Sequence, residues 1–355
     1  LPESLTLSID AMGGDHGPSV TVAGAALAAR QYGTEVRFLL HGDEKLIEAE
    51  LAKHAVLRPL CEVRHTDKFI AMDEKPAQAM RRGKGSSLWN AAESVKTGEA
   101  GACVSAGNTG ALMAIAMLVL RMAPGIHRPA IVAGWPTAKG ITAVLDVGAN
   151  VESDAEQLVE FAIMGAAFHH AVYKSARPSV GILNVGSEDQ KGHDEVRGAH
   201  ALLRATTLDL DYYGFVEGTD IAKGTVDVIV TDGFTGNIAL KTAEGLARFF
   251  ANELRAAFTA NPLSMLGALL SAGSLGAMRK KLDPGGANGG PLLGLNGIVV
   301  KSHGGADARS YASAIRVAVD LARSDFTAEI DRNIKRLTAV TSETAPPAAP
   351  DDKVE

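Results

Sequence analysis

Five times along this chain a short apolar run of strand type stops in a small loop of Gly, Asn, Asp, Ser and Thr. The loops lie in residues 8–19 (SIDAMGGDHGPS), 103–111 (CVSAGNTGA), 143–152 (AVLDVGANVE), 228–237 (VIVTDGFTGN) and 298–307 (IVVKSHGGAD). Helix-like runs follow the strand-like ones for most of the length, which is the pattern of βα units and a largely parallel sheet. Glycine lets backbone approach a ligand closely, and the helix N-termini that follow offer donors to an oxyanion. Ligands of open α/β sheets bind outside the carboxyl ends of the strands. The five loops are therefore expected to converge on one crevice that holds a phosphate or an acyl phosphate.

The intervening sequence refines this architecture. The runs IVAGWPT and ITAVLDVG, separated by AKG, read as a hairpin, so the sheet is expected to be mixed. NTGALMAIAMLVLRMA is apolar almost all round and is expected to be buried at the centre of the molecule. VESDAEQLVEFAIMGAAFHHAVY reads as a long helix with acidic residues in its first turn, where the macrodipole favours them. The fold class is α/β, with one large, mixed, mostly parallel sheet flanked by helices. The chain of 355 residues reads as a single two-lobed unit over 1–337, with a disordered tail over 338–355 that lacks large apolar residues.

Residues 249–282 differ from their surroundings. Leu263, Leu266, Leu269, Leu270 and Met278 recur at roughly helical spacing, broken by Pro262 and several glycines, and a basic cluster of Arg279, Lys280 and Lys281 follows. An amphipathic helical tip that dips into a membrane surface has this pattern, as do a homodimer contact and a plain core helix.

Several function classes are excluded. A net charge of −6 argues against a surface built for nucleic acid. Cys61 and Cys103 give neither a disulfide framework nor a zinc spacing, which fits a reducing compartment. The opening LPESLTLS shows no signal peptide, and no run reaches 18 apolar residues. GxGxxG after a strand, GxxxxGK[ST], HExxH and GxSxG are all missing, so no cofactor or metal is expected. His169 and His170 are adjacent in a helical run and point in different directions, and Cys103 is read as sheet packing. Without a covalent nucleophile, direct transfer between two bound substrates is favoured.

Taken in order, IDAMGGDHGPS, SAGNTGA, HRPA, LDVGANVE, FVEGTDI, TDGFTGN and KSHGGAD resemble the PlsX family, the phosphate acyltransferases of bacterial phospholipid synthesis. The resemblance implies conversion of acyl-[acyl carrier protein] and inorganic phosphate to acyl phosphate and free carrier protein. It also implies a fold similar to isocitrate and isopropylmalate dehydrogenases and to phosphotransacetylase, and a homodimer peripherally bound to the cytoplasmic face of an anionic membrane. A glycerol-3-phosphate acyltransferase is the implied downstream partner. Phosphate acetyltransferase is the competing reading, since its TDGFTGN loop is similar in style.

Phosphate is partly dianionic at neutral pH and can attack a thioester without a strong base, so the site needs orientation, a cation and oxyanion donors. Lys191, in NVGSEDQKG, and Asn237, closing TDGFTGN beside Gly236, resemble the family's catalytic positions. A surface lysine and a helix N-cap are the alternatives for these two. His303 and Asp307 form a second pair for phosphate, with a turn and a helix cap as alternatives. Asn108 and Thr109 open a helix as an anion nest, and Ser86, beside Ser87, either caps a helix or contacts phosphate. The carrier protein is expected to be acidic, with Arg81, Arg82 and Lys84 or the 279–281 cluster as its dock.

Overall fold

The computed structural model describes residues 4–282 and 288–344. In chain order it begins β1 Leu5–Asp10, α1 Pro18–Tyr32, β2 Val36–Gly42, α2 Glu44–Leu51, β3 Cys61–His65, α3 Pro76–Arg82, α4 Ser87–Lys96, β4 Ala102–Ser105 and α5 Thr109–Leu120. It continues β5 Ala130–Ile131, β6 Ala133–Pro136, β7 Ile141–Leu145, α6 Ala155–Tyr173, β8 Ser179–Leu183, α7 Asp194–Ala205, β9 Asp211–Val216, α8 Gly218–Lys223 and β10 Val228–Val230. The last elements are α9 Gly233–Thr259, α10 Pro262–Leu270, α11 Ala272–Leu282, β11 Gly290–Leu293, β12 Ile298–Lys301, α12 Ala308–Ala322 and α13 Phe326–Thr344.

The strands form two sheets rather than the one expected, in the orders β3-β2-β1-β4-β12-β11-β5 and β6-β7-β10-β8-β9. Both are mostly parallel, with antiparallel pairs at β12/β11, β11/β5 and β6/β7. The β6/β7 pair is the expected hairpin. The chain passes from one sheet to the other at the buried Val132, between β5 and β6. Twist explains the division, because open sheets rarely exceed ~10 strands before they curl or split.

Strand alternation sets the layers of the seven-stranded sheet. Ala102 and Val104 of β4 pack with α1 and α12, while Cys103 between them packs with α4 and α5. One core runs from Leu7 and Val104 in the first sheet to Leu145, Val180 and Val228 in the second. The central helix is α6 rather than α5. Its residues from Leu158 to Ala171 are almost all buried, and it packs on β7, β10, α7, α12 and α13. A capping box between Asp154 and Gln157 opens it. In α5, Leu118 remains exposed.

Part of the expected tail is helical: Thr338 to Thr344 are the last turns of α13, and residues 345–355 lie outside the described residues. Phe326, Ile330, Ile334 and Leu337 bury one stripe of this helix, and extending an existing helix costs far less than starting one. Residues 249–282 comprise the end of α9 with α10 and α11. Asn261 caps α10 through Ser264 N at 2.9 Å, and Pro262 takes its first position. The side chains of Arg279, Lys280 and Lys281 lie outside the description.

Candidate active site at the strand ends

The five glycine-bearing loops lie at carboxyl strand ends, three on the first sheet and two on the second. In the first cluster the loops after β1, β4 and β12 interlock. Asp15 N donates to Gly304 O at 2.9 Å, and Ser302 N donates to Ser105 O at 2.8 Å. Gly14, at φ +93°, fits because a Cβ there would lie 2.9 Å from Ala106 Cβ and 3.0 Å from Gly304 O. Asp10 is buried and accepts from Ser105 Oγ at 2.7 Å, and Ser105 Oγ in turn accepts from Gly107 N at 3.0 Å. Burial pushes the Asp10 carboxyl up, opposed by hydrogen bonding from the Ser87 and Ser105 side chains and from the Met12 and Gly13 backbone.

Lys301, the last residue of β12, was not singled out from sequence. Its Nζ donates to Ala106 O at 3.4 Å and to Ser302 O. Burial lowers its pKa to about 8 against the pull of Asp15 and Asp10. The signal was present: a lysine ends an apolar strand that pairs on both sides.

The expected binding residues of this cluster are partly committed to local structure. Asp307 caps α12 by accepting Ser310 N at 2.8 Å, and that donor lowers its pKa. Asn108 caps α5 through Ala111 N at 3.0 Å and donates to Met72 O and Glu74 O at 2.7 and 3.0 Å. Thr109 is exposed at the first position of α5. Ser86 is buried and caps α4 through Trp89 N at 3.3 Å. His303 Nδ1 accepts from Gly305 N at 3.1 Å, which leaves the ring proton on the exposed Nε2.

The second cluster is organised by Asp146, a fully buried carboxylate just after β7. Its Oδ1 accepts from Ile131 N, Gly148 N and Ala149 N at 3.0 to 3.1 Å. Its Oδ2 accepts from Ala149 N, Asn150 N and Asn150 Nδ2 at 2.7 to 3.0 Å. Against this hub sits the start of α9, where a Cβ on Gly236 would lie 1.9 Å from Asp146 O. Asp232 caps α9 through Thr235 N at 2.8 Å, so the helix opens at Gly233 and Asn237 lies about one turn inside it. Asn237 is therefore not an N-cap. It is exposed, and its Cγ and Oδ1 are 3.7 Å from where a Cβ on Gly148 would stand.

Lys191 follows β8, the neighbour of β10, so its loop shares a sheet edge with Asn237. It is exposed, pairs with Glu188 at 2.8 Å and has its pKa raised by that contact. Its backbone O accepts from Asn184 Nδ2 at 3.1 Å. The two clusters are separate at the level of direct bonds: among the described residues, no hydrogen bond or ion pair joins them. Cys103 is buried, and burial raises its thiol far above the usual range, as expected of a packing residue. His169 Nε2 bonds Ile141 O at 3.2 Å while His170 bonds Glu329 at 2.8 Å, so the two rings do point apart.

The family model described as "Fatty acid synthesis protein" matches residues 5–329. A phosphate acyltransferase of Caulobacter vibrioides is 72% identical over 96% of this chain and 95% of its own length. The chain belongs to the phosphate acyltransferase family. A second family member, from Phenylobacterium zucineum, is 60% identical over 98% of this chain and 99% of its own. The chain also superposes on a phosphotransacetylase from Streptococcus pyogenes with TM-score 0.62 and 17% identity, covering 91% of this chain and 95% of that one. That likeness bears on fold alone.

Proposed function

We propose that the protein transfers an acyl group from acyl-[acyl carrier protein] to inorganic phosphate, giving acyl phosphate and free carrier protein, by direct attack of phosphate on the thioester. The kinship with phosphate acyltransferases over nearly the whole chain carries this reading. Lys191 neutralises phosphate or the developing oxyanion, and Asn237 donates its side-chain amide. Gly236 keeps the start of α9 against the Asp146 loop. His303 offers Nε2–H to phosphate, while Asp307, Asn108, Thr109 and Ser86 hold the helix N-termini whose N–H groups face the anion. On this reading the first and second clusters line the two sides of one crevice that holds the phosphate.

The exposed apolar residues of α10, with Leu263 at 79%, Leu269 at 72% and Leu270 at 80% exposure, form a tip together with Leu266. It meets an anionic membrane surface on the cytoplasmic side in a homodimer, and the product passes to a glycerol-3-phosphate acyltransferase. No helix among the described residues is long and apolar enough to cross a membrane. A fold like that of isocitrate and isopropylmalate dehydrogenases is the finer fold proposal.

Purified protein, palmitoyl-carrier protein and labelled phosphate test the reaction. Acyl phosphate is the expected product. Turnover of acetyl-coenzyme A without turnover of the carrier thioester would replace this reading with phosphate acetyltransferase.

A further inference from the structure

His127 and Glu160 lie outside every role given above. Glu160 sits in the second turn of α6 with its side chain 1% exposed, so its carboxylate has left water and needs partners. One residue supplies both. Oε2 accepts the His127 backbone N–H at 3.0 Å, and Oε1 accepts from His127 Nδ1. The His127 side chain is 63% exposed, so with Nδ1 tied inward the ring presents Nε2 to the outside. Two bonds to one rigid carboxylate fix both the backbone and the plane of the ring.

This ring is fastened to the Asn237 side of the site. Two residues on, Pro129 O accepts Asn150 Nδ2 at 2.7 Å, and Ile131 N donates to Asp146 Oδ1 at 3.0 Å. The same Asp146–Asn150 turn carries Gly148 against Asn237 and receives Gly236. The exposed imidazole and the start of α9 are thus anchored to one buried hub.

We propose that His127 donates the proton taken up by the departing thiolate, and that Glu160 is the positioning residue that aims it. The inference rests on the phosphate acyltransferase reading. A phosphate dianion oxygen forms a bond to the thioester carbonyl carbon. The C–S bond then breaks, sulfur leaves with the electron pair, and Nε2–H supplies its proton. The neutral imidazole regains a proton from the acyl phosphate, whose remaining P–OH is far more acidic than a thiol. Overall, hydrogen phosphate and thioester give acyl phosphate and free thiol with no net proton change. Glu160 favours the imidazolium this step needs, and Asp154 and Glu156 at the start of α6 act in the same sense, raising the His127 pKa. Arg128 is the neighbouring cation in the chain.

The test compares two palmitoyl donors, a pantetheine thioester, whose alkyl thiol is no stronger an acid than a free cysteine side chain at about 8.5, and an aryl thioester, whose thiol is a stronger acid. In His127→Gln, kcat on the carrier and pantetheine thioesters should fall by on the order of 10² or more, with KM for phosphate unchanged. The aryl thioester, whose thiolate leaves unprotonated, should lose little. Because the acid form is required, the wild-type rate should fall as pH rises through the raised His127 pKa, and this limb should vanish in His127→Gln. Glu160→Gln should move the limb to lower pH, since the carboxylate that raises the pKa is gone. Equal losses on both thioesters, or a His127→Gln enzyme with wild-type rate and pH profile, would overturn the proposal. Failure of the wild type to form acyl phosphate from the carrier thioester would instead defeat the reaction itself.

Discussion

At the residue scale, the polar groups divide by whether the fold surrounds them. Asp146 is buried yet receives six N–H contacts, whereas Lys191 and Asn237 stand in the open at the same sheet edge. Alanine at Lys191 or Asn237 should therefore leave the melting temperature near wild type while turnover falls by on the order of 10² or more, as when an oxyanion donor is lost. Wild-type turnover in either variant would remove that residue from the mechanism. Lys301 makes a different prediction. Its folded pKa is about 8, lowered from an ordinary 10.5, so between those values the unfolded chain binds more protons than the folded one. The lysine's contribution to stability then rises with pH through that window. Urea melts of wild type and Lys301→Met should show wild type gaining on the variant from pH 8 to 10, and a constant difference would refute the burial argument. The motifs make Lys191 and Asn237 candidates in the sequence. Lys301, and His127 with Glu160, 33 positions away, were not found, because burial and that long-range pairing arise only on folding.

At the scale of elements, the strand ends are held by close backbone approach. The α9 start can reach the Asp146 loop only because Gly236 has no side chain to meet Asp146 O at 1.9 Å. Gly236→Ala should shift that helix start, cost at least about 1–3 kcal/mol as overpacking does, and reduce turnover along with the melting temperature. An unchanged melting temperature and rate would show that the two elements are loosely coupled. Periodicity and capping residues made most elements legible, including the hairpin, α6 and the break at Pro262. An N-cap at Asn237 would start α9 five residues late, and the sequence cannot choose because Asp232, Thr235 and Asn237 are all plausible caps. Only the bond from Thr235 N to Asp232 chooses among them.

At the scale of the whole molecule, the surface of α9 and α10 departs most from an ordinary soluble face. Phe249, Phe250, Leu263, Leu269 and Leu270 are all more than half exposed, and α10 packs mainly on α9 and α11. Exposed apolar surface of this kind marks a contact. Replacing Leu266 and Leu270 with Glu should release the protein from anionic vesicles in flotation and leave acyl phosphate formation in solution intact. Retained flotation would return the segment to a core or dimer contact, and a shift in sedimentation would favour the dimer contact. The sequence by itself determined the βα order, the glycine-rich strand ends and the family, because those depend on local periodicity, turn chemistry and an ordered set of motifs. Tertiary structure alone decided that the strands split into two sheets at Val132, that α6 rather than α5 lies at the centre, and that His127 faces Glu160. Each of these depends on which distant surfaces bury one another, and hydrophobic burial is blind to distance along the chain.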